Sequence, residues 1–305
     1  MLMPLARGIS MLMPDAPNFF PYCICMYIAG DQRAVIDFGA GKRAFQEIDK
    51  NSVEVGILTH NHPDHTHSSV LFTNTKFYAG QEEAESFRDQ MKYRELRGIN
   101  FWERFMKGKP LPESVQMDLK NDDIPVAPGF LPVDLAGTLT DGMQFDLGRG
   151  IKFTAVHLPG HSSGHYGFYF EKYGILFAAD IDTTRGGPWY GDACSHVGQF
   201  IASVQRIKDI NPAVFASSHR RPLTENIRQS LDAYLQVMLD RERQIYDLLK
   251  VPHTLEQLAE YRLAFQKRIF QLEDLWERIY VHHHLQHLLE LHAIAEVDAG
   301  IFMQV

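Results

Sequence analysis

The chain is poor in cysteine, with only Cys23, Cys25 and Cys194 among its 305 residues. Three thiols make no disulfide framework, and an i, i+2 pair on an extended segment is poorly placed to bridge, so a reducing compartment is expected. Long apolar runs are also missing: no stretch approaches the length of a membrane span. The first residues, which include Pro4 and Pro14, lack a sustained apolar region followed by a small-residue cleavage site; the expectation is a cytoplasmic protein. An excess of positive charge is lacking too. With 30 Lys and Arg against 38 Asp and Glu, the net charge of −8 provides no global field for nucleic acid or an anionic membrane, and any anion site must be local. What remains, 45% hydrophobic and 22% charged, is the composition of a globular protein able to bury a substantial core.

Against that background Thr59-His60-Asn61-His62-Pro63-Asp64-His65 stands out. It follows Val53 to Leu58, an apolar run that reads as a buried strand delivering its last residues to a sheet edge. In an extended segment His60 and His62 share a side and can reach one ion, while Pro63 turns the chain and sends Asp64 and His65 elsewhere. One loop can therefore serve two metals. With 15 histidines in the chain, isolated ones are ordinary core or surface residues, but four metal-ligand types within six positions after a strand point to metal binding.

On His60, His62, Asp64 and His65 the sequence resembles the metallo-β-lactamase superfamily, and the resemblance extends over about residues 8 to 222. Candidates for the family's later ligands occur in order: His161 in Pro159-Gly160-His161, Asp180 after Phe177-Ala178-Ala179, and His219 after Ser217-Ser218. The resemblance implies an α/β chain folded as an αββα four-layer sandwich. It implies that His60, His62 and His161 hold one divalent ion, that Asp64, His65 and His219 hold another, and that Asp180 bridges them. Zinc is the default, and iron or manganese also suit imidazole and carboxylate ligands. The implied activity is metal-dependent hydrolysis of a thioester, ester or lactone by a hydroxide held between the ions, with Asp64 and Asp180 as catalytic residues, close to the glyoxalase II-like branch. Phosphodiester hydrolysis and an iron-dependent persulfide dioxygenase-like reaction are the alternatives. Asp37 matches an acidic position under the family's metal site, although its residue-level reading is a cap on the following glycine turn. His165 resembles a position behind the ligands.

Strands are expected at Ile9 to Met13, Tyr22 to Ala29, Ala34 to Phe38, Lys76 to Ala79, Met143 to Leu147, Ile151 to His157, Tyr166 to Phe170, Gly174 to Ala178 and Ala213 to Ala216, with helices over Gln81 to Lys92 and Val197 to Ile210. Residues 92–130 read as a helical insertion. Between Lys92 and Lys109, six bases (Lys92, Arg94, Arg97, Arg104, Lys107, Lys109) face only Glu95 and Glu103, among Tyr93, Phe101, Trp102 and Phe105. That composition fits either a packed helical hairpin with a wet face or a lid drawing anionic substrates through Arg97, Arg104 and Lys107. Substrate contacts are expected from Arg97, Trp102, Arg185, Trp189 and Tyr190.

Domains are expected at residues 1–222, the hydrolase, and 223–305, a helical region that looks like the winged-helix tail of some superfamily hydrolases. Its helices are expected to Leu249, around Phe265 to Ile279 and from His282 to His292. The tail has eight basic and 13 acidic residues, the wrong sign for nucleic acid. Packing or homodimerisation is the expected role, with His282, His283, His284 and His287 a cluster that could hold a stray ion. The expected partner is a small-molecule substrate, neutral or anionic in charge, with no membrane.

Overall fold

The computed structural model describes residues 1–106, 122–267 and 272–305. Lys107, Lys109, Pro110 and Pro112 lie outside the described residues. The first sheet holds β1 (Leu2–Ala6), β2 (Ile9–Leu12), β3 (Cys25–Ala29), β4 (Arg33–Ile36), β5 (Val53–Leu58), β6 (Lys76–Gly80) and β7 (Leu135–Leu139), in that order. It starts as an antiparallel meander and becomes parallel from β4 to β7, with Ile36 opposite Ile57 and Leu58 opposite Ala79. The second sheet runs β12-β11-β10-β9-β8, from β8 (Gln144–Asp146), β9 (Lys152–His157), β10 (Tyr166–Phe170), β11 (Ile175–Phe177) and β12 (Val214–Ala216).

Alternation decides the layers. Ile24, Met26, Ile28 and Ile36 of the first sheet meet Phe153, Phe168, Phe170 and Phe177 of the second in the central core. The opposite face of the first sheet carries Val35, Val53, Leu58 and Phe77, covered by the short helix α1 (Gly41–Ala44), Phe45 and Phe72. The ligand loop continues into a further single turn, α2 (Pro63–Thr66). On the outer face of the second sheet, Val156, Leu176 and Phe215 pack against α5 (Val197–Ile210) and α6 (Ile227–Leu248) through Phe200, Val204, Leu231 and Met238. These four layers form the αββα sandwich.

The insertion contributes α3 (Gln90–Leu96) and α4 (Ile99–Met106). No continuous helix covers 81–92: the Asp89 side chain accepts from Met91 N at 2.7 Å and starts α3 there. Beyond α6 come β13 (His253–Thr254), α7 (Leu255–Glu260), α8 (Glu273–Glu290), β14 (Ile294–Asp298) and β15 (Ile301–Gln304). The break expected near residue 280 is absent, because α8 runs through it with Ile279, Val281 and Leu285 buried. Trp102 and Phe105 of α4 share a buried cluster with Leu275 and Ile279 of α8, so the insertion packs on the C-terminal helices. β1 and β7 went unforeseen; β1 has an exposed edge register containing Pro4, and β7 is only five residues, Leu-Ala-Gly-Thr-Leu, with a weak strand pattern. No helix among the described residues is long and apolar enough to cross a membrane.

Candidate metal centre

Every expected ligand sits where a strand ends. β5 delivers His60 and His62 directly, and Pro63 at the start of α2 turns Asp64 and His65 to the other side. His161 follows β9, Asp180 follows β11, and His219 follows β12. Two local features make this possible. A Cβ at Gly39 would lie 1.5 Å from the Asp64 carbonyl oxygen, and one at Gly160, whose φ is +124°, would lie 2.3 Å from Phe200 N. Bare backbone at these points lets the two ligand loops sit down on the sandwich. Ala179 is a non-glycine residue held at φ +44°, and this left-handed turn aims the next side chain, Asp180.

The side chains form two groups, His60-His62-His161-Asp180 and Asp64-His65-His219, with the candidate ligand atoms of each group within 4.8 Å of one another. Asp180 faces both. Its Oδ2 lies 3.4 Å from His161 Nε2 and 3.8 Å from His60 Nε2, while its Oδ1 lies 3.0 Å from His65 Nε2 and 3.4 Å from His219 Nε2.

The far side of each ring shows which nitrogen is left for a ligand. His161 Nδ1 donates to the Trp189 carbonyl at 3.0 Å and His65 Nδ1 to Asp37 Oδ2 at 2.8 Å. His62 is turned the other way, its Nε2 donating to Asp192 Oδ2, which leaves Nδ1 facing inward. His161 Nε2 consequently lies 3.2 Å from both His60 Nε2 and His62 Nδ1. Three inward nitrogens cannot all satisfy one another with protons. His65 Nε2 and Asp180 Oδ1, although close, are both buried without a hydrogen-bond partner. A divalent cation in each group would reconcile lone pairs that otherwise repel, and the oxygen and imidazole donor set, without thiolate, suits zinc, iron or manganese.

Charge follows the same division. Burial, reinforced by neighbouring histidines, holds His60 and His161 well below the usual imidazole range. At His65 and His219 the downward push of burial is overcome by Asp180 and other carboxylates, raising His65 well above that range and His219 to about 9. His165 is pushed down to about 4 by burial; its Nδ1 donates to the Leu158 carbonyl at 2.9 Å while Nε2 accepts from Asp180 N at 3.1 Å, so a neutral ring fixes the Asp180 backbone. Asp37 does not cap the glycine turn. It accepts from His65 and from Thr59 N at 2.9 Å, orienting one ligand and the loop bearing the others. Cys23 also lies near Asp37 and His65, but burial raises its thiol pKa far above the usual value and keeps it a neutral packing group.

Two supporting carboxylates escaped sequence reasoning. Buried Glu83 accepts from Asn61 N at 3.0 Å and from Gly164 N at 2.8 Å, tying the first ligand loop to the loop after His161. Asp192 holds His62, receives Arg97 Nη1 at 2.5 Å, and has its carbonyl fixed by His283 Nε2 of α8 at 2.7 Å. Although its own burial acts to raise it, the Arg97 guanidinium and His62 bring its pKa down to about 2.

The centre opens into a cavity of about 840 Å³ lined in part by His62, Asp64, His161, Asp180 and His219. Arg97, Trp102 and Trp189 line it as well. Arg97 is engaged by Asp192. Arg185 is exposed and outside the cavity lining, and Tyr190 is fully buried, receiving Arg241 and bonding His284 Nε2 at 2.8 Å, so neither is placed for substrate contact. Arg104 lines a separate hollow of about 360 Å³ beside His282, not the cavity of the centre.

A sandwich that gathers histidines and aspartates from the strand ends of both sheets into two adjoining groups defines a metal-site fold. Residues 21–238 match the family described as the metallo-beta-lactamase superfamily, and the chain belongs to that superfamily, most of whose members are metal-dependent hydrolases. It is 26% identical over 162 residues to the hydroxyacylglutathione hydrolase GloC of Haemophilus influenzae, covering 52% of this chain and 65% of that protein. It is 30% identical over 142 residues to an atrochrysone carboxyl ACP thioesterase of Pseudocercospora fijiensis, covering 47% of this chain and 38% of that one. The chain thus spans less than two thirds of either relative. A metallo-beta-lactamase family protein of Thermus thermophilus shares the fold over 99% of this chain and 100% of its own, with a TM-score of 0.74 and 21% identity.

Proposed function

We propose that this chain is a dinuclear metal-dependent hydrolase of acyl substrates, a thioester, ester or lactone, with zinc as the best-suited metal. The observation that carries the reading is Asp180, one carboxylate oxygen turned to each ligand group. His60, His62 and His161 would hold one ion, Asp64, His65 and His219 the other, and Asp180 both. When bound, the ions supply Lewis-acid polarisation of an acyl carbonyl and a hydroxide nucleophile at neutral pH. The chain's own groups do the rest. Asp37, Asp192 and the Trp189 carbonyl hold three imidazoles in the ligating tautomer and orientation. Asp64, at the cavity wall, would take part in proton transfer. The negative tail argues against an RNA substrate, and the names of the two relatives, a hydroxyacylglutathione hydrolase and an acyl carrier thioesterase, favour acyl cleavage. The test is turnover by metal-replete protein across thioesters, lactones, phosphodiesters and β-lactams. Acyl turnover is expected; cleavage confined to phosphodiesters would overturn the proposal.

A further inference from the structure

The cavity at the metal centre has the volume of a site for a drug-sized organic group, far more than an acetyl or lactoyl group fills. Its walls are mostly carbon. All three tryptophans of the chain, Trp102, Trp189 and Trp276, line it. Trp189 and Trp276 pack edge to face with ring centroids 5.0 Å apart, and the Trp189 carbonyl holds His161, so this apolar wall adjoins the centre directly. Leu272 and Leu275, at the start of α8, extend it. On the Asp180 side Tyr234 closes the wall, its hydroxyl donating to the Asp180 carbonyl at 3.2 Å. Phe19 and Phe20 also line the cavity and are 65% and 38% exposed, which places large apolar side chains at its opening. Arg94 and Arg220 add positive charge to the same lining.

Resting on the hydrolase reading above, we infer that the substrate is an acyl thioester with an extended apolar acyl chain, and that the start of α8 with Trp189 forms the acyl-binding wall. The C-terminal helical region therefore builds the substrate site. An apolar chain lying on this wall leaves water and brings its carbonyl beside His161, while Arg94 and Arg220 meet the negative charge of an anionic thiol carrier. Hydrolysis breaks the acyl C–S bond, adds water across it, and releases a carboxylic acid and a thiol, with no other reactant.

The experiment pairs kinetics with fluorescence on the full chain. In kinetics, metal-replete protein receives coenzyme A thioesters from acetyl through butanoyl and hexanoyl to decanoyl. kcat/KM is expected to climb roughly fourfold per added methylene until the wall is covered. In the second arm, decanoate or acetate is added and tryptophan emission is followed; since every tryptophan lines the cavity, decanoate should shift the emission and acetate should not. Trp276→Ala should lower the ratio of decanoyl to acetyl kcat/KM, and the two wild-type arms stand if that variant does not fold. A flat or falling series overturns the acyl wall and leaves the hydrolase reading intact. No thioester turnover together with a decanoate shift keeps the wall and overturns the thioester; if esters and lactones are not cleaved either, the hydrolase reading falls as well. Neither turnover nor shift overturns both.

Discussion

Two histidine clusters in this chain look alike in composition and differ in what surrounds them. In α8, His283 donates to the Asp192 carbonyl, His284 and His287 meet Glu242 Oε2 at 3.1 and 2.7 Å, and His282 packs its ring against Phe101 with centroids 5.2 Å apart. No nitrogen of these four rings is buried without a partner. At the strand ends the reverse holds: the outer nitrogens of His60, His62, His65 and His161 are anchored, while inner ones crowd each other and Asp180. Histidine density does not distinguish a metal site from a packing network. Convergent lone pairs with no protein donor to satisfy them do.

The largest expected effect comes from Asp180→Asn. Replacing one anionic oxygen with an amide removes charge common to both groups, and hydrolytic activity should fall by at least roughly 10²-fold with the fold retained by circular dichroism. Activity within a few fold of the parent would show that Asp180 does not join the two groups.

Asp192→Asn sharpens the contrast through a residue that touches both clusters. Replacing the anionic acceptor of His62 with an amide should weaken divalent-metal binding by roughly 10- to 100-fold, measured by competition with a chelator. Unchanged affinity would make the Asp192 contact ornamental to the centre.

The network in α8 should respond to acid rather than to metal. Burial, which acts to raise the Glu242 pKa, is outweighed by His284 and His287, which hold it at about 2. A depressed carboxylate pKa gives stability that is present above the unfolded value of about 4.3 and lost as pH falls towards about 2. The melting-temperature advantage of wild type over Glu242→Gln should therefore be greatest near neutrality and shrink across that window. An advantage independent of pH would contradict the ionised pairing. As the smallest effect, His287→Gln should leave the metal content of the chain unchanged.

The legible parts of the site were local ones. His60 to His65 could be read from spacing alone, because strand alternation and Pro63 dictate which side each residue faces. His161, Asp180 and His219 carry no local signal beyond their place after strands, and resemblance located them. Glu83 and Asp192 were missed because each acts across the fold: Glu83 bonds residues 22 and 81 positions away, and Asp192 holds a histidine 130 positions away. An isolated acid in a loop gives no warning of such a contact. The sandwich itself was visible in the alternation of β9, β10 and α5, whereas Asp89 capping restarted a helix that periodicity alone carried through from Gln81.

Metal analysis of the purified, metal-replete chain tests the central claim most directly, with a variant lacking His284 and His287 measured alongside. Two divalent ions per chain are expected in both proteins. One ion or none in the wild type, or a loss of metal confined to the α8 variant, would contradict a dinuclear centre at the strand ends.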